Sequence, residues 1–341
     1  MFNGSFFLVE QYLDKLKSID LSYSTNLIQT PDFTGVSTLE RLFLTGCTNL
    51  VEIHSSMGQL SRLIVLDLEN CESLVNLPSM STEMESLRIL NLLGCESLMN
   101  LSEFKGIMKS LSELYLGKTS IDKLPSSIEC LTALTLLDLK DCLNLKCLPS
   151  NVDSLMSLEK LVLSGCLKLA NLPQNLWKIK CLKELDLSGT SISEVPSTIG
   201  CTEPLERNFC VEQLNLSGMS RLEGIGINSF GCFSSLKYLT LSRNSFVTLP
   251  ASISQLSKLE ALDLCLCSNL QSLPELPLTV RYINAQECSS LEPSPALLRL
   301  RNLARPCSHL YGYDESSGGV AFTILNRYLQ VIDKLIILLK V

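Results

Sequence analysis

A curved, horseshoe-like solenoid of the α/β class is the fold that this sequence predicts. It would carry one short parallel strand per repeat on its concave face and short helix, 3₁₀ or loop arms on its convex face. Three observations predict it. A template L-x-x-L-x-L-x-x-(C/N/T)-x-x-(L/I) recurs twelve times, at starts separated by 21 to 25 residues apart from one step of 29. Leucine supplies 72 of the 341 residues, far above ordinary usage. Within each template the leucines alternate with other residues across the fourth to sixth positions, which is the two-residue period of a half-buried strand.

The twelve copies start at Leu16, Leu39, Leu63, Leu87, Leu111, Leu134, Leu158, Leu182, Val211, Leu236, Leu259 and Val280. The clearest are LIVLDLENCESLVNLP at 63–78, LTLLDLKDCLNLKCLP at 134–149 and LEKLVLSGCLKLANLP at 158–173. Their period is that of leucine-rich repeats. Two inward leucines on one short strand find no core of their own, so each repeat needs its neighbours stacked in parallel register. Twelve strands at about 4.8 Å each give a sheet roughly 55 Å along its inner arc. The proline of each NLP, KLP or TLP ends the inner segment because it has no N–H to donate. Arms such as SSIECLTAL, SNVDSLMSL and ASISQLSKL follow, with apolar residues at i and i+3 that suit a turn of helix or 3₁₀. The step of 29 marks an irregular insertion near 200–210, in CTEPLERNFC. The expected organisation is a remnant flank over 1–15, a repeat domain over 16–293 and a truncated extension over 294–341. The apolar stretch of that extension, VAFTILNRYLQVIDKLIILLKV, is interrupted by Asn326, Arg327, Gln330, Asp333 and Lys334 and so does not read as a membrane anchor.

Several function classes fall away on composition. The chain carries 35 acidic and 28 basic residues, a net charge of −7, with an isoelectric point near 5.1. A nucleic-acid partner would want a basic footprint. Mean hydropathy is +0.25, yet no uncharged apolar run reaches the roughly 18 residues a membrane span needs. The N-terminus lacks the basic region of a secretory signal, which points to the cytoplasm or the nucleus. LGKTS at 116–120 resembles the end of a phosphate-binding loop, but Ser112 stands where the first glycine belongs. GIGINS at 224–229 has Ser229 where a third glycine belongs. The two histidines, His54 and His309, form no metal or triad spacing with each other or with the cysteines. No catalysis, cofactor or metal is expected.

The 15 cysteines divide by template position. Cys47, Cys71, Cys95, Cys142, Cys166, Cys267 and Cys288 occupy the ninth position, where Thr119, Thr190 and Asn244 stand in other copies. There the chain leaves the strand, and a small buried residue with a modest donor is wanted; cysteine meets that need as a small hydrophobe. The expectation is a structural ladder of free thiols.

That leaves the outward strand positions. The third-position series is Ser18, Arg41, Val65, Ile89, Glu113, Leu136, Lys160, Glu184, Gln213, Tyr238, Ala261, Tyr282. The fifth is Asp20, Phe43, Asp67, Asn91, Tyr115, Asp138, Val162, Asp186, Asn215, Thr240, Asp263, Asn284. Aromatic and arginine residues anchor protein interfaces. The candidate protein-binding residues are therefore Arg41 with Phe43, Tyr115 with Lys118 and Lys140, and Tyr238 with Arg243 and Tyr282. Acidic residues on alternate copies suggest a basic partner surface.

The opening repeats, LKSIDLSYSTNLIQTPDFTGVSTLERLFLTGCTNLVEIHSSMGQL at 16–60, resemble those of the plant intracellular TIR–nucleotide-binding–leucine-rich-repeat immune receptors of the N-like group. The signature runs from TPDFTGV through GCTNL to EIH, and LPSSI-type arms continue it to about residue 290. FTILNRYLQ at 322–330 resembles the stretch leading into the domain that follows the repeats in those receptors. The resemblance implies a sensor that detects a pathogen effector or a guarded host protein and restrains the nucleotide-binding domain of a parent receptor. No TIR domain or nucleotide-binding module is in the sequence, so the family's NAD-cleaving and nucleotide-binding properties map to no residue here. The runner-up reading is a cytosolic Ras-group-type repeat scaffold or adaptor in signalling, which shares the LP-x-SI arms but lacks the TPDFTGV start.

Overall fold

The computed structural model describes residues 15–80, 84–192, 209–219 and 230–292. Residues 1–14 of the flank expected over 1–15, most of the insertion near 200–210, GIGINS and the extension from 294, with Cys201, Cys307 and His309, lie outside those residues. The chain divides into two compact units, residues 1–192 and 193–341. The division falls inside the lengthened step of 29, where the template is interrupted.

The first unit stacks eight three-residue strands: β1 Ser18–Asp20, β2 Arg41–Phe43, β3 Val65–Asp67, β4 Ile89–Asn91, β5 Glu113–Tyr115, β6 Leu136–Asp138, β7 Lys160–Val162 and β8 Glu184–Asp186. Successive strands pair in parallel, and each pairing aligns third position with third, fourth with fourth and fifth with fifth. The template repeats at nearly constant length, so register carries over unchanged from copy to copy. The fourth-position leucines from Leu42 to Leu185 lie in the core, as do the first- and sixth-position leucines from Leu39 and Leu44 onward. A leucine buried there rather than exposed contributes roughly 1.5–3 kcal/mol, which stacking alone makes available.

Past the strand, the eighth template residue takes a left-handed turn in every repeat. In this unit Gly46, Gly94, Gly165 and Gly189 hold it, but so do Tyr23, Asn70, Lys118 and Asp141, at φ of 57° to 60°. From Tyr23 to Gly165 their N–H groups extend the strand ladder; Asn70, for example, donates to the Leu93 carbonyl at 2.7 Å. Glycine at four of these eight turns leaves room for the neighbour. A Cβ on Gly46 would come within 2.6 Å of the Tyr23 ring.

The arms are short 3₁₀ segments: Ser55–Gln59, Ser126–Cys130, Val152–Ser154 and Gln174–Lys178. Pro125 and Pro173 cap two of them, so the proline that closes the strand segment also opens the arm. Ile128 and Leu131, or Val152 and Leu155, bury the i and i+3 face. Among the described residues no α-helix occurs. A 23- or 24-residue repeat leaves only one turn for the arm, and 3₁₀ geometry is suited to single turns.

The second unit repeats the plan with β9 Gln213–Asn215, β10 Tyr238–Thr240, β11 Ala261–Asp263 and β12 Tyr282–Asn284, again parallel and in phase. Phe209, Phe230 and Phe233 join its leucine core, with the Phe209 and Phe233 rings 5.2 Å apart. Its turn residues are Gly218, Arg243, Leu266 and Glu287, all left-handed.

Candidate protein-recognition face

Two rows of side chains hold the strand ends, and they define which residues are left for recognition. The first is the ladder at the ninth position. Cys47, Cys71, Cys95, Cys142 and Cys166 each direct the thiol to the sixth-position carbonyl of the preceding repeat, at 3.1–3.2 Å; Cys71, for instance, meets Leu44. Cys267 and Cys288 do the same in the second unit. Thr119 and Thr190 turn their hydroxyls to the carbonyl of their own repeat, Leu116 at 2.7 Å and Leu187 at 2.8 Å. Asn244 does both, donating to Leu216 and Leu241 while accepting from the Met219 N–H. Burial pushes the Cys71 and Cys166 thiols up to about 12 and raises Cys95 as well, so these groups stay protonated. All described cysteines are free thiols.

The second row is the fifth position. Asp20, Asp67, Asn91, Asp138 and Asp186 accept, through Oδ1, the N–H two residues on, at 2.8–3.1 Å, closing an Asx turn at each strand end. Asn215, Asp263 and Asn284 repeat this in the second unit. Beyond the expected role of facing a basic partner surface, these residues thus have a structural duty at the strand ends. Their positions follow from the need to cap the strand, although each carboxylate keeps a second oxygen. At Asp138, burial pushes the carboxyl up, against the pull of the Lys140 N–H.

The candidate anchors fall in three places. Arg41 and Phe43 share β2, the arginine exposed and the ring half-buried. Tyr115 lies on β5 and donates its hydroxyl to Glu113 Oε2 at 2.8 Å; burial and that bond push the phenol up to about 12. Lys140 and Lys118 stand at the seventh and eighth positions, on the turn beyond the strands, and the Lys118 N–H meets the Lys140 carbonyl at 2.7 Å. Tyr238 and Tyr282 occupy the same register on β10 and β12, with the buried Ala261 between them on β11. Arg243 is at a left-handed turn with φ 59°. Reasoning by aromatic and arginine content passed over the half-buried aliphatic residues of the same face: Val65, Ile89, Leu136 and Val162. The signal for them was present in the third- and fifth-position series.

Two constellations with a catalytic look have structural duties. Thr119 of LGKTS is buried in the ladder, and a Cβ on Gly117 would meet Leu93 Cδ1 at 2.8 Å, so the segment is a repeat turn. His54, Ser56 and Asp32 gather at the exit of the first two repeats. Ser56 Oγ lies 2.8 Å and Asp32 Oδ1 3.6 Å from the same ring nitrogen, His54 Nδ1. A triad needs acid and nucleophile on opposite ring nitrogens. Here the buried Ser56 hydroxyl accepts the Phe33 N–H at 2.8 Å, and Thr30 Oγ1 accepts the His54 N–H at 2.8 Å. The TPDF and EIHSS signatures thus lock two repeats together. Among the described residues, no group of three metal-ligating side chains forms and no helix is long and apolar enough to cross a membrane.

Parallel in-phase strands, a ninth-position ladder and proline-capped arms define a leucine-rich-repeat protein. Leucine-rich-repeat family models match residues 181–201 and 211–265. More particularly, the chain is similar over most of its length to the leucine-rich-repeat region of plant disease resistance proteins. It is 40% identical over 288 residues to TMV resistance protein N of Nicotiana glutinosa, covering 78% of this chain and 25% of that protein. It is 36% identical over 302 residues to disease resistance-like protein DSC1 of Arabidopsis thaliana, covering 83% and 24%. The chain thus spans about a quarter of the length of these curated relatives. Among solved structures, the functional domain of InlJ from Listeria monocytogenes, which includes a cysteine ladder, aligns with a TM-score of 0.55 at 20% identity. That alignment covers 84% of this chain and 56% of the other, and it shows a shared fold.

Proposed function

We propose that this chain is the protein-recognition module of a plant intracellular immune receptor. The module spans 16–293, and its outward strand residues contact a pathogen effector or a guarded host protein. It performs no catalysis, and its second partner is the nucleotide-binding domain of a parent receptor in the cytoplasm or nucleus. The observation that carries this reading is the division of labour within each strand. Inward leucines, ladder residues and Asx caps are committed to the fold, while the remaining third- and fifth-position side chains differ from copy to copy. Arg41, Phe43, Tyr115, Tyr238 and Tyr282 are among those variable outward side chains, and aromatic and arginine anchors of this kind dominate protein interfaces. The relatives, all disease resistance proteins, supply the biological setting.

The test is capture of partners from leaf extract by the parent chain and by a Tyr238→Ala/Arg243→Ala/Tyr282→Ala variant. Partners held by the parent and lost by the variant, at an unchanged melting temperature, support the reading. Equal capture by both removes these residues from the site.

A further inference from the structure

The fifth-position caps have three exceptions in the first unit, and together they mark a continuous track. Phe43, Tyr115 and Val162 stand where Asp or Asn would close the strand end. Among the described residues no side chain accepts the N–H two positions on from any of them, as happens at Asp67 or Asp138. Each exception forgoes a local hydrogen bond and places an apolar group on an outward position. Such local departures from the fold's own rule concentrate at functional sites.

The intervening strands complete the pattern at the third position with Val65, Ile89 and Leu136. The register aligns Arg41, Val65, Ile89, Glu113, Leu136 and Lys160 in one row, and Phe43, Asp67, Asn91, Tyr115, Asp138 and Val162 in the next. Every strand from β2 to β7 therefore contributes one half-buried apolar side chain and one polar one to these rows. The apolar track runs across the strands for about 24 Å at about 4.8 Å per strand. Its polar margin carries carboxylates in the middle, at Asp67, Glu113 and Asp138, and cations at the ends, at Arg41 and Lys160. The Lys160 ammonium is paired with Glu184 at 2.8 Å.

We infer that this track docks an amphipathic α-helix of a partner protein, one with basic residues at its middle. The inference rests on the protein-recognition reading above and names the partner's chemistry. A helix presents one anchor per turn, about every 5.4 Å, close to the strand spacing, so successive turns meet successive strands. An extended segment repeats the same face only about every 6.6 Å and would fall out of step within two strands. About 16 helical residues cover the track. Basic side chains at the helix centre face the three carboxylates, and acidic ones at its end over β2 face Arg41.

The test uses the full chain and three fluorescein-labelled helical peptides of about 18 residues. One has a leucine stripe with central lysines, one the same stripe with central glutamates, and one is a scramble of the first. Fluorescence anisotropy is expected to show the lysine peptide binding at least about tenfold tighter than the other two. A Phe43→Asn/Val162→Asn variant is expected to lose about tenfold for that peptide while its melting temperature holds or rises, because asparagine restores the missing caps. Equal binding of the lysine and glutamate peptides, or undiminished binding by the variant, overturns the track. A Tyr238→Ala/Arg243→Ala variant separates the two claims. If it loses peptide binding while the Phe43/Val162 variant does not, the track is wrong and recognition by another part of the outward face stands.

Discussion

At the scale of single residues, the ladder cysteines share their template position with Thr119, Thr190 and Asn244, and all of them hydrogen-bond sixth-position carbonyls. Their repeat spacing made them legible in the sequence, because a residue type recurring at one template position carries its own evidence. The acids of the fifth position were not legible in the same way. Strand alternation says which way a side chain points, but not that Oδ1 folds back onto an N–H two residues along, as at Asp67 and Asp263. The thiols also carry a pH signature. Unfolded, they ionise near 8.5; in the fold, Cys71 and Cys166 do so only near 12. Between those values the unfolded chain gives up protons that the folded chain keeps, so stability falls as pH rises through that window. A Cys71→Thr/Cys166→Thr variant is expected to flatten the decline in urea midpoint between about pH 9 and 12 relative to the parent. Parallel curves for the two proteins would remove burial of these thiols as the cause.

At the scale of the element, a three-residue strand is stable only as one of a stack, and its fourth-position leucine is what the stack buries. Leu137 on β6 and Leu161 on β7 are both fully buried. Truncation to alanine at either site is expected to cost about 2–5 kcal/mol, read as a drop in urea midpoint with little change in slope. A change within error at both would contradict the register. Strand positions were readable from alternation, and the structure places all twelve where the template put them. The left-handed turn at the eighth position was not readable. Glycine at Gly46 or Gly165 hints at it, but Lys118, Arg243 and Leu266 adopt the same conformation without any such hint. There the stacked backbone, held by bonds such as Leu266 N–H to the Gln286 carbonyl, overrides the residue's own preference. Lys118 and Arg243 accordingly stand beyond the strands rather than on them.

At the scale of the whole molecule, the two units share one plan, and the interruption between them coincides with the one lengthened repeat step. The leucine count, the positive mean hydropathy and the cysteine count all trace to that plan. What periodicity left open was which outward residues matter, since an outward position carries no packing constraint to reveal it. The breaks in the Asx pattern at Phe43, Tyr115 and Val162 supply a criterion, visible only once the capping bonds are known. The central claim is that recognition resides in uncommitted outward strand side chains while everything else builds the scaffold. The direct measurement is an exchange of third- and fifth-position residues in this chain for those aligned in TMV resistance protein N, leaving the Asp and Asn caps and all inward residues in place. The account predicts a melting temperature like the parent's together with an altered set of captured leaf proteins. A collapsed melting temperature, or an unchanged set of partners in a folded chain, would contradict it.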